Sequence, residues 1–429
     1  MSENPSLRPA ILGGSKAVTL DGTAANRWPI LTDEEEAAVL EVLRSGDLSQ
    51  HPVTRMLEDD YRQYFGVRHA LAHCNGTLAL FAAFFSLDLH PGDEVLVPSA
   101  TFWASVVPML WLGAIPIFCE TEPQQLGLDP EDVLQKITPR TRAMVVVHLW
   151  GMPSKMTGLL EIAERYGLQV VEDASHAQGA RWHGRLCGTL GHISVFSLQT
   201  SKLAPAGEGG MLLTNDDRYI ERAICLGDIE RILELKSPAR RLAGTSFGLK
   251  TRMAPLSAAI ARVQLRRLAE RNARRNENLR YLSDHLEILG FHTFLPPADV
   301  ERVYFEYLVR YDARRSGMPI EVLVDALVAE GCDITWPRYP LLHQQPLFTE
   351  ELFARIARLD RRSEVPWPIY RPDALPRTET ASRELLRLPT FPLGGRDLLD
   401  QYVNAFEKVL GHSAEIMAAR EKAKLPAAG

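Results

Sequence analysis

The sequence lacks the features of several large protein classes. Nowhere do about 18 apolar residues stand together, as a membrane-spanning helix requires, and the first residues show no basic stretch followed by an apolar run. The five cysteines are scattered without CxxC spacing, which fits neither a disulfide framework nor a zinc site. We therefore expect a cytoplasmic protein that is not anchored in a membrane and holds no metal.

A strong charge of either sign is also absent. The formal net charge is -6 over 429 residues, and Lys and Arg are scattered along the chain. A basic surface for DNA or RNA is therefore not predicted. The early strands are not followed by a G-x-G-x-x-G turn with a suitably placed acid, which argues against a nicotinamide dehydrogenase.

What the sequence does contain is an alternation of two patterns. Between about Gly66 and Asp216, short β-rich apolar runs alternate with longer helical runs, which predicts an α/β fold with a mostly parallel central sheet flanked by helices. The predicted strands are EVLVPS, AIPIFCE, AMVVVHLWG, LQVVEDAS, ISVFSLQ and GGMLLTND. Ligands of such sheets bind beyond the carboxyl ends of the strands.

Changes of pattern divide the chain into four parts. Residues 1–30 are predicted to form an N-terminal arm, and residues 31–268 form the large α/β domain. A long amphipathic helix then leads into a smaller C-terminal α+β domain over residues 269–411, which contains Pro-rich loops between Trp336 and Pro376. The tail, residues 412–429, is predicted to be a frayed helix or disordered.

Lys202 is the first residue of chemical interest. It follows the apolar strand ISVFSLQ and precedes a glycine-rich turn. Burial at that place would lower the pKa of its amine and make the amine nucleophilic, as a Schiff base requires. A solvated lysine in a connecting loop fits the local sequence equally well.

Three further motifs each allow a functional and an ordinary interpretation. Asp173 ends the strand LQVVED, where it could meet a ligand or simply start a turn. Gly76 and Thr77 lie in a polar turn before an apolar helix, a geometry that binds phosphate or merely caps the helix. Phe102 follows another strand end and could stack on a planar heterocycle or pack in the core.

The combination of these motifs in one chain is more informative than any one of them. A pyridoxal-phosphate (PLP) site needs donors for the phosphate, a face for the pyridine ring, an anion for the pyridinium nitrogen and an amine for the aldehyde. The sequence offers a candidate for each requirement. It therefore predicts a PLP enzyme.

The motifs also resemble those of a known family. From about residue 12 to about residue 411, the chain is similar to the StrS/DegT-like sugar and cyclitol aminotransferases, which are fold-type I PLP enzymes. The segments that carry the resemblance are Asn75-Gly76-Thr77-Leu78, Thr101-Phe102, Glu172-Asp173 with His176, Phe196-Ser197-Leu198-Gln199-Thr200-Ser201-Lys202, and Gly207-Glu208-Gly209-Gly210.

The resemblance implies roles for these residues. Lys202 would form the Schiff base and act as the catalytic base, and Asp173 would pair with the pyridinium nitrogen. The cofactor would further contact Gly76, Thr77, Leu78, Phe102, His176, Ser197, Gln199 and Lys250. Lys250 stands where the family more often has Asn, in a segment that reaches the phosphate site of the neighbouring subunit, so the resemblance implies a homodimer with shared active sites.

The resemblance also implies a reaction. An amino acid, in this family usually glutamine or glutamate, would donate an amino group to a keto sugar or keto cyclitol, as in antibiotic and other secondary-metabolite biosynthesis. The tract Trp336–Phe348 is expected to face the substrate. Two alternatives stay open at this point: a PLP-dependent sugar dehydratase of the same fold, although that branch has His in place of the lysine, and a non-catalytic partner protein.

Overall fold

The computed structural model describes residues 8–350, 352 and 367–423. In this part of the chain the strands are β1 (His69–His73), β2 (Glu94–Pro98), β3 (Ile115–Cys119), β4 (Thr141–Val147), β5 (Gln169–Asp173), β6 (Arg181–Trp182), β7 (Arg185–Leu186), β8 (Ile193–Ser197), β9 (Gly210–Thr214), β10 (Val300–Glu301), β11 (Tyr307–Arg310) and β12 (Leu385–Leu388).

The α-helices of the same residues follow in chain order. They are α1 (Asp33–Ser45), α2 (Val53–Phe65), α3 (Gly76–Ser86), α4 (Val107–Leu110), α5 (Pro130–Lys136), α6 (Met156–Tyr166), α7 (Asp217–Cys225), α8 (Ile229–Glu234), α9 (Pro255–Ile288), α10 (Ala313–Ser316), α11 (Ile320–Ala329), α12 (Pro346–Thr349), α13 (Pro376–Arg383), α14 (Arg396–Gly411) and α15 (Ser413–Ala423). Short 3-10 helices occur at Ala10–Leu12, Trp103–Ser105, Leu149–Gly151, Pro238–Gly244 and Leu342–Gln344.

A seven-stranded sheet with the order β1-β9-β8-β5-β4-β2-β3 forms the centre of the molecule. The strands from β8 to β3 run parallel, whereas β9 is antiparallel to both β8 and β1. The six strands predicted from the sequence all belong to this sheet, so the mostly parallel α/β architecture is confirmed. The sequence analysis missed β1. The other five strands of this sheet lie in the chain between β1 and its partner β9.

Alternating side chains of the central strands enter two separate cores. In β4, Val145 and Val147 pack in the core on the side of α3 and α7, while Met144 and Val146 pack in the core on the side of α2, α6 and α9. This alternation follows from the two-residue period of a strand. Helices therefore cover both faces of the sheet, and only its edges at the strand ends are left for a ligand.

The helix α9 joins the large core to a third core in the C-terminal part of the chain. Its residues Leu265 and Leu268 pack against the central sheet, whereas Leu279 and Leu282 pack with the antiparallel pair β11 and β12 and with α11 and α14. The division of the chain into domains at residues 268 and 269 stays a prediction.

The N-terminal arm, from residue 8 onwards, crosses the C-terminal unit before it reaches the large one. The backbone N–H groups of Ala10 and Ala17 donate to the carboxylate of Glu330 at 2.7 and 2.8 Å. At the other end of the arm, the indole N–H of Trp28 donates to the carbonyl of Lys202 at 3.1 Å. The arm thus contacts the loop that carries the predicted reactive lysine.

The C-terminal tail is helical over α15, where Ile416 is buried. The last six residues of the predicted tail, and residues 351 and 353–366 of the predicted Pro-rich loops, lie outside the described residues. Among the helices that are described, none combines the length and the apolar character needed to cross a membrane.

Candidate active site

A cavity of about 770 Å³ opens at the carboxyl ends of the central strands. Its position is the one expected for a ligand site in a parallel sheet. Eight of the ten predicted site residues line it, namely Gly76, Thr77, Phe102, Asp173, His176, Ser197, Gln199 and Lys202. The fold thus brings these residues of distant segments together around one cavity.

Lys202 lies in the loop after β8, with its amine inside the cavity. The side chain is only 8% exposed, and Nζ lies 4.2 Å from the centre of the Phe305 ring. Burial lowers the pKa of Lys202 to about 8, although the negative charge of Asp173 opposes that shift. About a tenth of the amine is therefore unprotonated at pH 7, far more than for a solvated lysine.

Asp173 is held in place by a short chain of hydroxyl groups. The Ser105 hydroxyl donates to Asp173 Oδ2 at 2.6 Å, and the Thr101 hydroxyl lies 2.9 Å from the Ser105 oxygen. The backbone N–H of Ser175 donates to Asp173 Oδ1 at 3.1 Å. The sequence analysis missed Ser105 because only the three-dimensional fold brings its 3-10 helix beside β5.

Glu172, the residue before Asp173, has a different environment. It is completely buried and accepts hydrogen bonds from the His148 ring at 2.9 Å and from the backbone N–H groups of Gly188, Leu190 and Gly191. Burial alone would raise the pKa of Glu172, but His148 and these N–H groups lower it. Glu172 fastens the segment after β5 and does not line the cavity.

The turn before α3 has the geometry of an anion site. Asn75 caps the helix by accepting from the backbone N–H of Leu78 at 2.9 Å, which leaves the N–H groups of Gly76 and Thr77 without intrahelical partners. A Cβ atom on Gly76 would lie 2.9 Å from the Ser197 Cβ, so only glycine allows this close approach. Two free N–H groups and the Ser197 hydroxyl thereby meet at one end of the cavity.

A cluster of nearly parallel rings surrounds His176, and two of its members, His176 and Tyr339, line the cavity. The centre of the His176 ring lies 4.1 Å from that of Phe305 and 5.6 Å from that of Trp150, and the centres of these two rings are 6.5 Å apart. Tyr339 packs on Trp150, and its hydroxyl approaches His176 Nε2 at 3.4 Å. Burial, followed by the charge of Lys202, lowers the pKa of His176 far below its usual value, so its ring is neutral.

Phe102 and Gln199 complete the set of predicted lining residues. Phe102 is 38% exposed, and its ring is tilted against those of Trp103 and Tyr339 where it lines the cavity. Gln199 Oε1 accepts from the backbone N–H and the hydroxyl of Ser201 at 2.8 and 2.7 Å. Gln199 therefore shapes the loop that leads to the lysine.

The two remaining predicted residues do not line this cavity. Leu78 contributes its backbone N–H to the Asn75 cap. Lys250 is exposed on the surface of its own subunit. From the predicted substrate tract, Arg338, Tyr339 and Gln345 do line the cavity.

These residues fit the requirements of PLP. The closely packed turn at Gly76 offers N–H donors of the kind that hold phosphate, and Asp173 offers a buried carboxylate with remaining acceptor capacity. Lys202 offers a partly deprotonated amine between them, and the cavity is large enough for the cofactor with a small substrate.

Comparisons with known proteins agree with this geometry. A protein of Streptoalloteichus tenebrarius, provisionally named L-glutamine:3-amino-2,3-dideoxy-scyllo-inosose aminotransferase, is 33% identical over 332 residues, which are 75% of this chain and 79% of that protein. The solved aminotransferase from Psychrobacter cryohalolentis is 27% identical, with a TM-score of 0.78 over 91% of this chain and 99% of that one. DesI, solved in the presence of its TDP-sugar product, is 28% identical, with a TM-score of 0.77 over 97% and 100%.

The family assignment rests on most of the chain. Residues 29–407 match the DegT/DnrJ/EryC1/StrS aminotransferase family, and the similarity to the solved aminotransferases confirms the fold-type I architecture. The cofactor of this family is PLP, which the cavity residues fit. The chain therefore belongs to the DegT/DnrJ/EryC1/StrS aminotransferase family and is a PLP-dependent aminotransferase.

Proposed function

We propose that this enzyme transfers an amino group from an amino acid, glutamine or glutamate, to a keto sugar or keto cyclitol. The observation that carries the proposal is the buried amine of Lys202, with a pKa of about 8, in one cavity with Asp173. The acceptor class is supported by the names of two relatives, one of which refers to an inosose and the other to a TDP-sugar product.

Lys202 and Asp173 divide the proton chemistry between them. When bound, PLP supplies an aldehyde and an electron-withdrawing ring. The carboxylate of Asp173 would keep the proton on the ring nitrogen, and Nζ of Lys202 would take a proton from the α-carbon of the amino donor and deliver it to the imine carbon of the cofactor. In the second half-reaction Nζ of Lys202 would take a proton from that carbon and deliver it to the carbon of the acceptor that receives the amino group, so Lys202 returns to its starting state in each half-reaction.

The other predicted residues bind and orient. The backbone N–H groups of Gly76 and Thr77 and the hydroxyl of Ser197 would hold the phosphate, and the Leu78 N–H supports this turn through Asn75. Phe102 would provide a stacking face for the ring and His176 would contact its 3-hydroxyl, while Gln199 shapes the loop before the lysine. Arg338, Tyr339 and Gln345 would face the acceptor.

The proposal includes a cytoplasmic homodimer that acts in amino-sugar, aminocyclitol or antibiotic biosynthesis. It is supported by the exposure of Lys250 and its absence from the cavity lining, together with the family resemblance, in which this segment reaches the phosphate site of the neighbouring subunit. Light scattering should therefore give a dimer. A mixture of Lys202→Ala and Lys250→Ala subunits should regain part of the activity, because some mixed dimers carry one site with both lysines.

Substitution of the lysine tests the function directly. Lys202→Ala should abolish turnover and the visible absorbance of the bound cofactor, whereas Lys236→Ala, at an exposed lysine, should leave both unchanged. An active, yellow Lys202→Ala enzyme would refute the assignment.

The substrates are tested by following each half-reaction through the absorbance of the cofactor. Glutamine and glutamate should convert the enzyme to its amino form, and a keto cyclitol or a nucleotide-linked keto sugar should convert it back. The lysine already argues against a sugar dehydratase. If no amino acid changes the spectrum, the result contradicts transamination and favours the alternative of a non-catalytic partner protein.

A further inference from the structure

Three buried polar side chains form a hydrogen-bonded chain beside the active-site cavity. Ser99 follows the strand β2, His343 lies in the 3-10 helix Leu342–Gln344, and Glu379 lies in α13. The Ser99 hydroxyl is 2.7 Å from His343 Nδ1, and His343 Nε2 is 3.3 Å from Glu379 Oε1. Three segments that are distant in the sequence are thus joined through the His343 ring.

The chain contains the residue types with which hydrolases activate a serine, but its burial excludes that role. Ser99 and His343 are 0% exposed, and Glu379 is 6% exposed. None of the three residues lines the active-site cavity. A nucleophilic serine must be reached by its substrate, so these residues act on the site only through the segments that they hold.

The directions of the hydrogen bonds are fixed by their partners. A carboxylate only accepts, so His343 Nε2 donates its proton to Glu379. The Ser99 oxygen already accepts the backbone N–H of His343 at 3.2 Å, which leaves its hydroxyl proton for Nδ1 of the same residue. Both nitrogens of the ring are therefore satisfied in one orientation, and rotation of the ring would break two buried hydrogen bonds.

His343 belongs to a segment that borders the active site, residues 338–345, which we call the acceptor segment. Tyr339, Leu342 and Gln345 of this segment line the cavity. The segment is bound to the end of β2, because the Leu342 N–H donates to the Ser99 carbonyl at 3.0 Å. The contacts of His343 with the Ser99 hydroxyl and with Glu379 strengthen this attachment.

The support of Asp173 begins at the same serine but does not include His343. The Ser99 carbonyl also accepts the backbone N–H of Thr101 at 3.0 Å, and the Thr101 hydroxyl contacts Ser105, which donates to Asp173. Loss of the His343 ring therefore releases the acceptor segment and leaves the hydroxyl groups around Asp173 in place.

We propose that His343 is a positioning residue that fixes the acceptor segment on the end of β2 and thereby sets the affinity for the keto acceptor. The proposal rests on the proposed function, in which this segment faces the acceptor. The amino donor reacts at Lys202 and Asp173, whose supports are independent of His343. A displaced acceptor segment should therefore impair the acceptor half-reaction much more than the donor half-reaction.

The kinetic test compares substitutions of His343. His343→Leu removes both ring bonds and should raise KM for the acceptor by about tenfold or more, as for a misplaced binding segment. The rate at which glutamine converts the bound cofactor to its amino form should stay within a few-fold. His343→Asn keeps an acceptor for the Ser99 hydroxyl and should recover part of the affinity. His90→Leu, at a histidine whose side chain is 73% exposed, should change neither value.

A second measurement needs no substrate. Amide hydrogen exchange of the PLP-loaded enzymes, followed by mass spectrometry, should be faster over residues 338–345 in His343→Leu than in the wild type and unchanged over β4 and β5. If His343→Leu does not fold, Ser99→Ala takes its place with the same expected results, because it also removes the partner of Nδ1.

Two results would overturn the proposal. One is an equal loss in both half-reactions, or a loss of stability with unchanged KM, which would assign His343 to packing alone. The other is unchanged hydrogen exchange in the acceptor segment. Failure of the proposed function gives a different result, since the wild-type enzyme would then turn over neither a keto cyclitol nor a keto sugar, and the exchange measurement would still show whether His343 holds the segment.

Discussion

The strand β5 carries neighbouring carboxylates on its two faces, and their hydrogen-bonding environments differ. Glu172 faces protein donors only, with His148 and three backbone N–H groups around it. Asp173, one residue later and on the other face, accepts one bond on each oxygen, from Ser105 and Ser175, and faces the cavity. A carboxylate has about four acceptor sites, so Asp173 retains capacity for a ligand and Glu172 does not. The acceptor capacity that remains separates a functional acid from a structural one.

The largest expected effect on activity is that of Asp173→Asn. The amide keeps the shape, its oxygen can still accept from the Ser175 N–H and its nitrogen can donate to the Ser105 hydroxyl, but it removes the negative charge that stabilises a protonated ring nitrogen. We expect kcat to fall by about 10²–10³-fold, as when one preorganised electrostatic partner is lost. Stability towards urea should change by less than about 1 kcal/mol, because nothing is removed from the core. Activity within a few-fold of wild type would show that the cavity side of β5 is not the catalytic one.

Glu172→Gln should mainly lower the free energy of unfolding, whereas Asp173→Asn should mainly lower kcat. The amide nitrogen must face His148 or one of the N–H groups of Gly188, Leu190 and Gly191, and it loses a charge-assisted bond in either case. The Ser154 N–H donates to His148 Nδ1 at 3.1 Å, so the ring carries its proton on Nε2 and gives it to the Glu172 carboxylate. We expect a loss of about 1.5–3 kcal/mol in the free energy of unfolding, measured with urea, as for a buried hydrogen bond to a charged group. Unchanged stability would contradict the structural role.

The position of Asp173 could be predicted from the sequence, but the hydrogen-bond partners that distinguish it from Glu172 could not. The strand LQVVED and the rule that ligands bind at the carboxyl ends of strands are enough to place Asp173 near Lys202. Ser105 was missed because its contact with Asp173 joins residues 68 positions apart, which no local periodicity records. Strand β1, HALAH, was missed because it is short and contains no β-branched residue.

The cluster of rings around His176 shows that contacts between distant segments could not be predicted from the sequence. His176 was predicted from a motif, whereas Trp150, Phe305 and Tyr339 come from three other segments of the chain and meet only in the fold. Local patterns predicted elements and strand ends, because these depend on hydrophobic spacing. The partners that set the pKa and the orientation of each group depend on packing between distant segments.

The pKa of the Lys202 amine should depend on Asp173 but not on Glu172. With a pKa of about 8, the free amine rises about tenfold per pH unit from pH 6 and then levels above pH 8. The rate at which cofactor-free protein binds PLP, followed by visible absorbance, should show that profile. Asp173 raises this pKa, so Asp173→Asn should move the midpoint to lower pH, while Glu172→Gln should not move it. A midpoint above pH 10 would mean that the amine is solvated.

Ser105→Ala has the smallest expected effect and examines the support of Asp173. Its hydroxyl donates to Asp173 Oδ2 at 2.6 Å, and its loss frees that carboxylate to turn without removing its charge. We expect kcat to fall by about tenfold, which corresponds to about 1.4 kcal/mol, near the lower end of what a hydrogen bond to a charged group contributes, while KM for the acceptor stays within a few-fold. Ser105→Thr should restore part of the rate because it restores the hydroxyl. If Ser105→Ala instead lowers stability and leaves kcat unchanged, Ser105 serves packing, and Asp173 is positioned by the Ser175 N–H alone.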